Sequence, residues 1–387
     1  MLMKILHTSD WHLGHTLYHF ERTEEQSALL DQLVELVSRE KPDVFLVSGD
    51  LYHTSQPSAA VQKLFAQTMV RLHDAHPTMT LVVTAGNHDS GSRHEVFRLP
   101  WEALNVHAIG QLDKFNLDRH LIEVPGKGFV VAVPYVHESF LPEGLFQQLL
   151  NRVTERNPHQ LPVVLSAHLT VQGCDFTGHE RATEATVGGI DAWNVSQLGE
   201  GYDYLALGHI HRPQFVHTGH HNVRYSGTPM AVSFDENYPH TVSIVEIGQR
   251  GDTPQVREVE IHNPRPLVTL PAQGTATWEE AQQLLRQFPD DQPAYLRVKV
   301  VVEDFLPIEA PLKAAALCEG KQARFCLLQT VRSVSEKAER ESLSVETFQQ
   351  VDPLDLVRRY ATDIGSSFDS EMEALFREAV ESLKQED

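Results

Sequence analysis

Val44-Phe45-Leu46-Val47-Ser48-Gly49-Asp50 is four apolar residues without polar alternation, one serine, then a glycine and a carboxylate. An unbroken apolar run of this length suits a β-strand covered on both faces, as in the sheet of an α/β protein. In open α/β sheets ligands bind beyond the carboxyl ends of the strands, and Gly49-Asp50 sits at such an end. Neighbouring segments repeat the arrangement. Leu2 to Thr8 is strand-like though interrupted by His7, and after Ser9 comes Asp10-Trp11-His12. Thr80 to Thr84 leads to Gly86-Asn87-His88-Asp89, Val163 to Ala167 ends on His168, and Tyr204 to Leu207 runs into Gly208-His209-Ile210-His211. Helices are expected between the early strands. Thr23-Glu24-Glu25-Gln26 has the form of a capping box ahead of Leu29, Leu30, Leu33, Val34 and Val37 at helical spacing, and Pro57-Ser58 opens a second helix.

Further strands are expected at Phe129 to Val133, Val223 to Tyr225, Thr241 to Ile247 and Val256 to Ile261, where turn residues intervene and helical spacing is missing. The expected fold is therefore α/β, two stacked mixed β-sheets flanked by helices. Pro264-Arg265-Pro266 marks a boundary. Beyond it, Leu267 to Leu270, a Thr277-capped helix Trp278 to Phe288, an alternating strand around Leu296, Val298 and Val300, a helix near Leu312 to Cys318 and a strand Phe325 to Val331 form a small α+β capping domain. A charged stretch, Ser335 to Glu346, precedes two short amphipathic helices, one from Asp352-Pro353 to Gly365 and one from Asp369 or Ser370, forming a helix-loop-helix. The expected division is 1–264, 265–338 and 339–387.

Composition narrows the function. With 387 residues, 41% hydrophobic and 22% charged, the chain reads as globular. No apolar run approaches the roughly 18 residues of a membrane helix, and the N-terminus lacks the features of a signal peptide. Three cysteines cannot build a disulfide framework, which fits a reducing cytoplasm. The net charge of −21 argues against gripping nucleic acid by bulk electrostatics. It leaves room for a nuclease, because metal ions can supply local positive charge. Residues 339–387 are themselves strongly acidic, with 13 acidic against 5 basic side chains. All 22 histidines fall between His7 and His262, so the chemistry is sought there.

A lone Gly-Asp or His-x-His is usually a turn or a solvated pair. Five such motifs in order, each at a strand end and offering Asp, Asn and His, point to one metal site. Mixed imidazole and carboxylate ligands suit Mn²⁺, Fe²⁺ or Zn²⁺, whereas Mg²⁺ and Ca²⁺ take oxygen. Asp10, His12, Asp50, Asn87, His168, His209 and His211, with His88 as helper, are too many for one tetrahedral ion. Two ions about 3.5–4 Å apart sharing a carboxylate use them well, activating a water and stabilising charge on phosphate oxygens.

The order Asp-x-His, Gly-Asp, Gly-Asn-His-Asp, His, Gly-His-x-His resembles that of the calcineurin-like metallophosphoesterases. Within them the chain is similar to the nuclease subunits of bacterial SbcC–SbcD complexes. Thr8 to Gly14, Tyr202-Asp203-Tyr204, Gly208 to Pro213, Tyr225 to Pro229 and Ser233-Phe234 also match. The resemblance is strong over residues 1 to 260 and continues beyond by architecture alone. It implies one metal held by Asp10, His12, Asp50 and His211, and a second by Asp50, Asn87, His168 and His209, most often Mn²⁺. It implies that His88 contacts the scissile phosphate or protonates the leaving oxygen, and that His53 orients substrate. Asp89 is expected to orient His88.

The dimetal centre fixes a phosphoester hydrolysis but not its substrate. Protein phosphatases of this class carry Asp-Arg-Gly after the Gly-Asp, and Leu51-Tyr52-His53-Thr54 follows here. A small-molecule or cyclic-nucleotide phosphodiesterase is the alternative, and a non-catalytic scaffold ranks last because every ligand position is filled. By resemblance the chain would be a DNA nuclease, 3′→5′ on duplex ends and endonucleolytic on single strands and hairpins, acting as a homodimer with an SbcC-like ATPase that grips the C-terminal helices. Arg286, Arg297, Lys299, Lys313, Lys321, Arg324 and Arg332 would make the capping unit either a solvated face or a wall of the DNA path.

Overall fold

A computed structural model describes residues 2–178, 192–216, 221–303 and 305–332, and the single positions 354, 372, 373 and 376. Met1–Val331 is one compact unit and Arg332–Asp387 a second. In the latter, beyond Arg332, only Leu354, Met372, Glu373 and Phe376 are described, each helical. The rest of the expected linker and helix-loop-helix lies outside the described residues. Among the described residues no helix is long and apolar enough to cross a membrane.

Two six-stranded mixed sheets form the larger part of the first unit, as the apolar runs lead one to expect. The first holds the strands Gln255–Glu260, Thr241–Ile247, Met3–Thr8, Val44–Ser48, Thr80–Thr84 and Val106–Ile109, in that spatial order. The second holds Gln214–Phe215, Val223–Tyr225, Tyr204–Gly208, Val163–His168, Gly128–Ala132 and Leu121–Val124. Continuous apolar runs suit this stack because successive side chains point to opposite faces and both faces are covered. Val44 and Leu46 meet Val164, Tyr204 and Ala206 between the sheets. Phe45 and Val47 instead pack outward under Leu29, Leu33, Met69 and Leu72 of the helices Thr23–Glu40 and Ala59–Ala75. Leu205 and Leu207 likewise pack outward on the helix Leu145–Arg156 through Leu149, Leu150 and Val153. At about 1.5–3 kcal/mol for each fully buried large side chain, this three-part core dominates the stability.

His7, which interrupts the first strand's apolar pattern, is accommodated between the sheets. Its Nδ1 lies 3.0 Å from the Tyr204 hydroxyl and its Nε2 3.2 Å from Ser48 Oγ, which also meets Ser166 Oγ at 2.9 Å. Burial lowers its pKa to about 3. His7 is thus a neutral hydrogen-bonded link joining the two sheets.

The capping-box reading at Thr23 is corrected. Arg22 occupies the cap position without a side-chain cap, and Thr23 is the first helical residue. Gln26 is instead drawn to the loop after the first strand, accepting from Gly14 N at 3.0 Å and donating to His12 O at 3.2 Å. The caps expected at Ser58 and Thr277 are present, the latter as a full capping box with Glu280.

Past the boundary prolines, Leu267–Leu270, Tyr295–Val302 and Arg324–Arg332 make a three-stranded sheet with the helices Trp278–Gln287 and Ala310–Ala316. Its basic side chains are not a free row of positive charge. Arg297 is 6% exposed and bound to Asp235, Lys321 bonds the Phe288 carbonyl at 2.8 Å, and Arg324 lies over the rings of Phe20 and Tyr295. These three are committed to the fold, which removes them from the expected DNA-lining wall.

Candidate dimetal centre

Strand register brings the motifs together. Three adjacent parallel strands end level, with Thr8 opposite Val47 and Ser48 opposite Thr84. The segments carrying Asp10, His12, Asp50, Asn87 and His88 therefore leave the first sheet on one edge. In the second sheet His168 pairs with Gly208, which puts His168 beside His209 and His211. The two edges meet across the stack.

The backbone is strained where it turns. Asp10, His12, Asp50 and His209 take positive φ values of 54°, 46°, 51° and 95°, rare for residues with a side chain and concentrated at functional sites. Two glycines are required by close approach. A Cβ on Gly208 would lie 1.9 Å from Ser48 O, and one on Gly86 would lie 2.1 Å from Asp50 Oδ1. Bare backbone at Gly208 lets the two sheet edges close on each other, and at Gly86 it lets two neighbouring loops of the first sheet approach.

Asp50 is the hub. Its Oδ2 lies 3.4 Å from His168 Nε2 and 3.8 Å from His12 Nε2, while Oδ1 accepts from the His88 backbone N–H at 2.9 Å. Potential ligand atoms of Asp10, His12 and His211 lie within 4.8 Å of one another, and so do those of Asp10, Asp50 and His168. Asn87 Oδ1 lies 2.9 Å from His168 Nε2 and 3.1 Å from His209 Nδ1. All seven residues expected to hold metal thus converge.

The donor set fits divalent cations. His168 Nδ1 is 2.8 Å from the Ser48 carbonyl and must donate to it, so in the neutral ring Nε2 presents a lone pair. That lone pair faces the oxygens of Asn87 and Asp50, an arrangement that calls for a proton or a metal ion between them. His211 Nδ1 is 2.8 Å from Glu236 Oε1, and its Nε2 faces His12 Nε2 at 3.1 Å. Among the described residues no Lys or Arg partners Asp10, Asp50 or Asp89, although the first two are buried and the third is partly so. Burial is the main cause that raises the Asp10 carboxyl. Burial works against charge at Asp50 too, but the His168 ring outweighs it and holds the carboxyl well below its usual range. Burial opposes charge on His168 as well, yet the Asp50 carboxylate lifts that ring to about 9. The cluster as a whole favours added positive charge.

One expectation changes. Asp89 does not pair with the His88 ring. Its carboxylate accepts from the backbone N–H groups of Gly86, Tyr52 and Leu51 at 2.9, 2.9 and 3.1 Å, clamping the Asp50 and Asn87 loops to each other. Burial and then the charge of Asp50 push it up to about 7 against those hydrogen bonds. The His88 ring is held instead by the His53 carbonyl, 3.1 Å from its Nδ1. The His53 ring stacks on it with centroids 5.8 Å apart and 16° between planes. Glu236 escaped the sequence reading, because it sits in a loop without a preceding strand or a metal-type spacing.

The calcineurin-like phosphoesterase family profile matches residues 3–213. A profile described as type 5 capsule protein repressor C-terminal domain matches residues 263–363. The chain is 33% identical to the SbcD subunit of the nuclease SbcCD from Rhodobacter capsulatus, covering 72% of this chain and 74% of that one. It is 30% identical to the protein of the same name from Bacillus subtilis over the whole of both chains. The Escherichia coli protein is 28% identical, covering 90% of this chain and 91% of its own.

Proposed function

The chain belongs to the calcineurin-like phosphoesterases, and within them to the SbcD family of SbcCD nuclease subunits, and from that membership we propose that it is the metal-dependent nuclease subunit of a DNA end-processing complex. The convergence of seven ligand-type side chains around the carboxylates of Asp10 and Asp50 carries this reading. Asp10, His12, Asp50 and His211 would hold one ion, and Asp50, Asn87, His168 and His209 the other, with Mn²⁺ as the metal. When bound, such ions supply charge neutralisation at the phosphate and an activated water.

The protein's own groups do the rest. His88 donates Nδ1–H to the His53 carbonyl, which keeps Nε2 for the substrate, either contacting the phosphate or giving a proton to the leaving oxygen. His53 orients the substrate beside it. Asp89 acts on His88 through the backbone, holding the loops that carry His88 and Asp50 at fixed separation. Burial of both sheet edges keeps bulk water from screening the site.

The domain division is 1–264 for the nuclease, 265–338 for the capping unit and 339–387 for binding the base of an SbcC-like ATPase. The subunit works in the cytoplasm as a homodimer, cutting duplex ends 3′→5′ and opening hairpins and single strands. The net charge of −21 supports a nuclease that takes DNA affinity from its metals and its partner.

The full chain is expected to cleave both a radiolabelled DNA hairpin and bis-p-nitrophenyl phosphate with Mn²⁺, and neither after chelation. Hydrolysis of the small ester alone, with the ATPase present, would move the assignment to a small-molecule phosphodiesterase. Removal of residues 350–387 is expected to abolish co-purification with the ATPase while leaving ester hydrolysis within about twofold, since none of the proposed metal ligands lies in that segment. A truncated chain that still co-purifies defeats the tail assignment.

A further inference from the structure

Outside the expected ligands, one carboxylate reaches the centre. Glu236 is 7% exposed, and Oε1 lies 2.8 Å from His211 Nδ1 while Oε2 accepts from Val232 N–H at 3.1 Å. It sits in the loop between Val223–Tyr225 and Thr241–Ile247, where no strand fixes its backbone. The fixing comes from the three-stranded sheet. From the strand Tyr295–Val302, Arg297 pairs with Asp235 Oδ1 at 2.5 Å and donates to the Phe234 carbonyl at 2.8 Å, the two residues just before Glu236. Its Nε bonds Thr269 Oγ1 at 3.0 Å, and its guanidinium lies 5.1 Å from the centre of the Phe234 ring. One arginine, itself 6% exposed, thus ties the small sheet to the loop that touches His211.

We propose that Glu236 is a positioning residue for His211, and that Arg297 holds the loop so that it can act. A histidine that coordinates through one ring nitrogen needs the other fixed by an acceptor, which sets both tautomer and ring direction. Glu236 provides that acceptor on Nδ1 and directs Nε2 toward His12 Nε2, 3.1 Å away. His168 obtains the same service from the Ser48 carbonyl, and Glu236 is the side-chain counterpart on the other half of the site. An incidental buried ion pair would not need a loop gripped at two successive residues by a forked side chain. The small sheet accordingly contributes to how firmly one ion is held. This rests on the reading of His211 as a metal ligand given above.

The test is a calorimetric Mn²⁺ titration of the full chain with thermal denaturation alongside. Wild type is expected to bind two ions. Glu236→Gln should weaken one of them about 10–100-fold, the usual cost of losing a ligand's hydrogen-bond partner, and leave the other within about threefold. Arg297→Lys should weaken that same ion about 3–10-fold, because a point charge cannot reproduce the fork. Wild-type affinity for both ions in Glu236→Gln overturns the proposal, as does equal loss of both in step with a fall in Tm. If Glu236→Gln does not fold, unchanged Mn²⁺ binding in Arg297→Lys overturns it. Fewer than two ions in wild type would bring down the dimetal reading itself, a failure separable because it appears before any substitution.

Discussion

Asp50→Asn is expected to lower Mn²⁺-dependent cleavage of DNA and of bis-p-nitrophenyl phosphate alike by at least about 10³-fold, the equivalent of the several kcal/mol that metal ions contribute to such transition states. The size follows from its position. One Asp50 oxygen lies within 3.8 Å of His12 and 3.4 Å of His168, so this carboxylate reaches a proposed ligand of each ion. The amide keeps the shape and still accepts from the His88 N–H, which isolates the loss of charge from a collapse of the loop. Metal counting on the purified variant should find the occupancy of both ions reduced. Retention of two tightly bound ions with wild-type turnover would refute Asp50 as the bridging group.

His88→Gln should separate binding from turnover. On the proposed assignment no direct metal ligand is removed, and the backbone contact to Asp50 survives, so Mn²⁺ affinity is expected to stay within about twofold, while turnover on the DNA hairpin falls about 10²–10⁴-fold, the range for loss of a general acid. The two substrates distinguish its roles. A p-nitrophenolate leaves without needing a proton, so a residue that protonates the leaving oxygen should cost much less on the small ester than on DNA. Equal loss on both would assign His88 to the phosphate instead. Loss of metal in proportion to activity would remove it from the chemistry altogether.

The centre was more legible in the sequence than much of what surrounds it, for a physical reason. The proposed ligands Asp10, Asp50, Asn87, His168 and His209 follow apolar runs whose lack of polar alternation already signals a strand covered on both faces. Strand ends have a defined place in such a sheet, so residue type and position could be combined. Short edge strands such as Val106–Ile109 and Leu121–Val124 contain too few residues to display a period. Gln26 misled because Thr-x-x-Gln has the same letters whether the side chain turns back on its own helix or reaches across to His12. Asp89 lies beside His88 in sequence, and adjacency suggested a side-chain pair where the carboxylate in fact serves three amides. Glu236 depends on a contact with a strand some 60 residues further on, through Arg297, and local pattern carries no trace of it.

The division of the site between two sheets has a consequence for biogenesis. Asp10, His12, Asp50 and Asn87 come from one layer and His168, His209 and His211 from the other, so on the proposed ligand assignment neither layer alone would retain the cations. At free metal about 100 times Kd, each independent site adds about 2.7 kcal/mol to the native state and nothing to a chain whose layers have docked out of register. On that assignment occupancy would act as a check on assembly: a newly made chain would gain protease resistance from metal only once its two layers had met in register.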